Sequence, residues 1–164
     1  MIVIMATAKT RWLDEREQGA WRGYLHMQAQ LSARMNRQLQ NDSNLSLADF
    51  GVLVQLAEDP DGWVRVLELA DALRWEKSRL SHHLARMQQR GLIERKECSA
   101  DKRGAFVVLT PAGRAAIDAA APMHVETVRR LVFDVITTEQ VDALAKITEQ
   151  VIIQLGSPDP CDGG

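Results

Sequence analysis

The sequence holds little that would suit a stapled, membrane-spanning or catalytic protein. Its 164 residues include two cysteines, Cys98 and Cys161, and neither belongs to a Cys-x-x-Cys pair, which excludes a disulfide scaffold and a thiolate zinc site. No apolar run approaches the ~18–20 residues that cross a bilayer. The opening Met1–Met5 is apolar, but no basic segment precedes it and no long apolar stretch follows, so a secretory signal is not expected. The expected location is cytoplasmic, with no membrane partner. Glycine-rich phosphate loops, nucleophile elbows and carboxylate pairs in apolar settings are missing. The histidines His26, His82, His83 and His124 show no metal-ligand spacing. The hydroxyl–histidine neighbours Ser81 and His82 diverge by about 100° on a helix and cannot form a dyad. An enzyme is therefore not expected, and neither a cofactor nor a metal is called for.

What remains is 46% hydrophobic and 26% charged, ordinary for one soluble domain with extensions. The net charge of −2 hides an uneven distribution. Arg74 to Gly104 carries nine basic residues against four acidic ones, a local +5, and the rest of the chain carries −7. A basic centre in an acidic remainder is a footprint for a polyanion, although a solvated charged helix has the same composition.

Along the chain, Asp14 to Asn41 has the three- and four-residue apolar steps of a long helix (Trp21, Tyr24/Leu25, Gln28, Leu31, Met35). Ser46, with Asp49 three residues on, predicts a capped second helix that stops at Glu58-Asp59-Pro60-Asp61-Gly62. Trp63 to Val66 alternates like a short strand. Leu67 to Leu73 reads as a short helix, Arg74-Trp75 as a break, and Glu76 to Arg90 as a further helix ended by Gly91. Leu92 to Lys96 and Ala105 to Leu109 form a hairpin whose tip is polar and basic. Thr110-Pro111 opens a helix running to about Ile136, with an interruption or kink expected at Pro122. The last helix starts at Thr137-Thr138 and carries the stripe Val141, Leu144, Ile147, Val151 and Leu155.

Short helix, tight turn, helix and basic hairpin in this order is a winged helix-turn-helix, which places its second helix in the major groove of double-stranded DNA. The fold expected is mainly α with a small β-hairpin wing. On a helical wheel Leu84 and Met87 fall within about 40° of Leu80 and face inward. Ser78, His82, Ala85 and Gln89 fall on the opposite side, flanked by Arg79, Arg86 and Ser81, with no carboxylate past the first turn. Arginine suits guanine edges or phosphates, and serine and histidine suit shorter hydrogen bonds. His83 sits on the shoulder of the apolar stripe and reads as a packing residue. At the hairpin tip Lys102 and Arg103 suit the minor groove. Asp101 would repel phosphate, so it reads as wing support, holding the turn or orienting Arg103. Asp and Gly are also ordinary turn residues.

These residues resemble the MarR family of winged-helix transcriptional regulators. The resemblance runs through Leu69-Ala70, Leu73, Ser78–Leu84, Gly91-Leu92-Ile93-Glu94-Arg95, Asp101-Lys102-Arg103-Gly104 and Val108-Leu109-Thr110-Pro111-Ala112-Gly113, and covers about residues 14 to 155. It implies a homodimer whose first and last helices interlock, on a pseudo-palindromic operator. The usual action is repression relieved by a small molecule or an oxidant. Arg103 would be the wing arginine, Asp101 its partner, and the face from Lys77 to Arg86 the major-groove reader. Peroxide-sensing relatives use a cysteine early in the first helix. None precedes Cys98 here, so that mechanism does not carry over. A small aromatic effector is the default, with Trp21, Tyr24 and His26 as candidate contacts, although aromatic stripes at this spacing more often build core.

The expected organisation is an N-terminal extension (1–13), a first dimerisation helix (14–45), a DNA-binding lobe (46–110), C-terminal dimerisation helices (111–155) and a disordered tail (156–164). The alternatives are a winged-helix protein-interaction module and a redox sensor using Cys98 beside Lys96 and Lys102.

Overall fold

Four of the helix starts are written locally as side-chain caps, and the computed structural model, which describes residues 10–97 and 105–156, carries them out. The elements in order are α1 (Glu15–Ser43), α2 (Leu47–Glu58), β1 (Trp63–Arg65), α3 (Val66–Leu73), α4 (Lys77–Gln89), β2 (Ile93–Glu97), β3 (Ala105–Leu109), α5 (Pro111–Leu131), a 3-10 turn at Phe133–Val135, and α6 (Thr138–Gly156). Ser46 Oγ accepts from the Asp49 amide at 2.9 Å and Asp49 Oδ2 accepts from the Ser46 amide at 2.8 Å, a reciprocal box at the start of α2. The same exchange joins Asp14 to Glu17 before α1 and Thr137 to Gln140 before α6. Thr110 caps α5 through the Gly113 amide at 2.9 Å, with Pro111 in the first turn.

The chain separates into two units, one up to Arg34 and one from Met35 onward. In the first, residues 10–34 are exposed apart from half-buried Leu31. Trp21 and Tyr24 stack on one another, with ring centroids 5.6 Å apart and planes at 23°. The second unit holds the core. Leu39 and Leu45, then Val52, Leu53 and Leu56 of α2, Leu69 of α3, Leu80, Leu84 and Met87 of α4, Ile93, Val107, Ile117 and Ala120 all bury against each other. The three strands form one antiparallel sheet in the order β1-β3-β2, with Val64 opposite Val107 and Arg95 opposite Val107 on the other side. The result is a winged helix-turn-helix, mainly helical with a small sheet, as the sequence predicts. The predicted wing is a two-stranded hairpin. The structure adds β1 as its third strand, because Trp63–Arg65 finds its ladder on β3.

Thr110 and Gly113 fasten this sheet to α5. The Thr110 hydroxyl faces the carbonyls of Gly91 at 2.7 Å and Leu92 at 2.9 Å while accepting from Gly113. A Cβ on Gly113 would fall 2.0 Å from the Leu92 carbonyl oxygen, so helix and strand approach closer there than any side chain permits. Gly91, with φ of 72°, turns α4 into β2.

Two expectations are corrected. Pro122 does not break α5, which runs unbroken from Pro111 to Leu131. One lost amide is tolerated because buried Ile117 and Ala120 anchor the helix before it and buried Thr127 after it. And α1 continues to Ser43, past the expected end at Asn41, to a left-handed Asn44 with φ of 53°. Buried Leu39 and the bond from the Leu47 amide to Asn36 Oδ1 at 2.9 Å hold this last stretch. The wing tip with Asp101, Lys102 and Arg103, both cysteines, most of the N-terminal extension and the tail after Gly156 lie outside the described residues.

Candidate nucleic-acid interface

The turn between α3 and α4 is made by Arg74 in the left-handed region (φ 53°, ψ 42°), whose amide bonds back to Ala70 and Asp71 carbonyls. This swing aims α4 outward. Leu80, His83, Leu84 and Met87 are buried along one side of α4. Lys77, Ser78, Arg79, His82 and Arg86 are exposed, and Ser81 is half-buried. The exposed side offers three cations, a serine hydroxyl and an imidazole without a carboxylate. No side chain caps α4, so its first-turn amides stay available to an anion.

His83, which the sequence marks as a packing residue, is only 7% exposed. Its Nε2 lies 3.0 Å from Asp49 Oδ1, a close polar contact whose alignment falls short of a good hydrogen bond. Arg90 Nη1 donates to Asp49 Oδ2 at 2.7 Å and its Nη2 to the Asn44 carbonyl. Burial pushes the Asp49 carboxyl up, but the contacts with His83, the Ser46 amide and hydroxyl, and Arg90 outweigh it and hold the group well below the usual carboxylate range. One buried carboxylate thus ties the start of α2 to the middle and end of α4.

Ser81 is tied to the sheet through Arg95, whose Nη1 donates to its Oγ at 3.3 Å while the Ser81 hydroxyl keeps its own proton to donate. Arg95 is not among the residues that the sequence marks for DNA contact, although its position carries a signal. It stands two residues after buried Ile93 in an alternating strand, hence on the inner face toward α4. The sequence marks the cap at Asp49 but not its pairing with α4, because His83 and Arg90 stand far along the chain. On the outer face of the sheet, Trp63 meets Phe106 edge-on at 4.6 Å and Arg65 lies 5.1 Å from the Phe106 ring centroid. The effector candidates Trp21, Tyr24 and His26 are all exposed on α1, and His26 Nε2 is 2.7 Å from Gln30 Nε2. Among the described residues no cluster of three or more His, Cys, Asp or Glu is arranged to hold a metal, and no helix is long and apolar enough to cross a membrane.

Comparison with known proteins agrees with this geometry. Residues 43–104 match a family model described as the MarR family. Among solved structures, Sco3205 from Streptomyces coelicolor, a MarR family transcriptional regulator crystallised in complex with DNA, is 39% identical, with 92% of this chain and 94% of that one aligned and a TM-score of 0.87. AbsC, a MarR family transcriptional regulator from the same organism, is 37% identical over 89% of this chain and 98% of its own, with a TM-score of 0.84. The transcriptional regulator HosA of Escherichia coli O127:H6 is 35% identical over 80 residues, 49% of this chain, and the match spans only 58% of HosA. With a 39% identical relative aligned over 94% of its length in the same fold, the chain belongs to the MarR family of transcriptional regulators.

Proposed function

We propose that this protein is a sequence-specific DNA-binding regulator, a homodimeric repressor that sits on a pseudo-palindromic operator and is released by a small organic ligand. The observation that carries the reading is the exposed face of α4. Lys77, Ser78, Arg79, His82 and Arg86 point away from a helix side that is otherwise buried, and the similar Sco3205 was crystallised with DNA. In this reading Arg79 and Arg86 meet phosphates or guanine edges, and Lys77, Ser78, Ser81 and His82 contribute shorter or weaker contacts. Lys102 and Arg103 enter the minor groove, with Asp101 orienting Arg103. The dimer covers the apolar side of α6, where Ile147, Val151 and Leu155 are 58%, 52% and 78% exposed. A two-fold dimer presents paired α4 helices to half-sites about one DNA turn apart. An aromatic effector would stack on the exposed Trp21–Tyr24 pair beside His26. The protein works in the cytoplasm.

The test is binding to duplex DNA from the protein's own promoter region at two salt concentrations, wild type beside Arg86→Ala and Arg103→Ala. The expected result is tight binding that falls steeply with salt and weakens about tenfold or more in each variant. A folded dimer that binds no duplex at low salt, and selects none from a random-sequence pool, overturns the reading. For the effector, Trp21 fluorescence with the other tryptophans replaced must respond to any compound that releases DNA.

A further inference from the structure

Both α4 arginines are held by the protein itself. Arg86 Nη2 lies 3.1 Å from His83 Nδ1, and the Arg79 guanidinium carbon sits 4.5 Å from the Trp75 ring centroid. The two holders are joined, because the Trp75 and His83 rings meet edge to face with centroids 5.3 Å apart and planes at 90°. A guanidinium has only donors, so Arg86 requires the lone pair on His83 Nδ1, and the ring proton belongs on Nε2, facing Asp49. Asp49 is itself immobilised by the Ser46 amide at 2.8 Å and Arg90 at 2.7 Å. The path runs from a fixed carboxylate at the start of α2, through the His83 ring to Arg86, and across the Trp75 ring to Arg79.

We propose that His83 and Trp75 are positioning residues for DNA binding, His83 Nδ1 holding Arg86 and the Trp75 ring holding Arg79, so that both guanidinium groups meet the nucleic acid already aimed. His83 is buried and acts on DNA only through Arg86. The inference rests on the DNA-binding reading above. A long side chain that must be ordered on docking weakens binding by about two- to tenfold, and one already held is spared that loss.

The experiment uses the full-length protein and a labelled duplex that the wild type selects from a random-sequence pool, with affinity read by fluorescence anisotropy. His83→Leu is expected to weaken binding about three- to tenfold. His83→Gln is expected to restore it to within about twofold, since a carboxamide both accepts from Arg86 and donates to Asp49. In an Arg86→Ala background His83→Leu is expected to add nothing, because its action passes through Arg86. If His83→Leu weakens binding equally with and without Arg86, or if His83→Gln is as poor as His83→Leu, the residue is only structural and the proposal fails while DNA binding stands. Should His83→Leu not fold, Trp75→Leu against Trp75→Phe, each with and without Arg79→Ala, makes the same decision for the other arm. A wild type that selects no duplex overturns the DNA-binding reading, and this inference with it.

Discussion

Asp49 shows how much one residue does in this fold. Its carboxylate closes the α2 capping box and meets His83 and Arg90 of α4 with 6% of its side chain exposed. Removing it leaves buried or half-buried donors without an acceptor, so Asp49→Ala is expected to destabilise by about 3 kcal/mol in urea unfolding at neutral pH. The carboxyl is held below its ordinary value of 3.8 in the fold, so below that pH the unfolded chain binds the proton that the folded chain refuses. The stabilisation is therefore complete above about pH 5 and is lost as pH falls through and below 3.8. Unfolding of the wild type and of Asp49→Asn, compared between pH 7 and pH 3, is expected to converge as the pH drops. A difference that stays constant across that range would remove Asp49 from the acid sensitivity of the fold.

Among the elements, the joints carry the sharpest expectations. Gly113→Ala drives a methyl group into the Leu92 carbonyl and is expected to cost roughly 2–3 kcal/mol, read as a lowered melting temperature. Arg74→Gly acts oppositely, since Arg74 holds a left-handed backbone between α3 and α4. Glycine there is expected to stabilise by about 1 kcal/mol, and a drop in melting temperature would mean that the arginine side chain matters more than its backbone strain. The contrast between these elements explains what was legible in the sequence. Ser46, Thr110, Gly91 and the stripe Leu80/Leu84/Met87 state their roles within a few residues, because caps and helix faces are local physics. The Asp49–His83–Arg90 cluster was legible only in part, with a cap seen and a packing histidine seen but not their meeting, since tertiary packing brings them together. The interruption that Pro122 predicts from its local cost does not occur, because buried residues on either side of it keep the helix continuous.

For the whole molecule, α6 contributes no buried residue to its own chain, although its apolar stripe is as regular as any in the sequence. Under the proposed dimer, Ile147→Glu is expected to shift the sedimentation of the protein from dimer to monomer, and with it to weaken operator binding by more than tenfold, as a single half-site engages. A variant that still sediments as a dimer would place the interface elsewhere. The strand order β1-β3-β2 also bears on how the protein comes into being. The last strand to be synthesised lies between the two made before it. On the ribosome, α2, α3 and α4 and both outer strands emerge before β3, and neither outer strand has a partner in the other. A nascent chain stalled before Ala105 therefore carries two unpaired backbone edges beside an unfinished core. During that interval in translation both strands are open to pairing with the wrong chain.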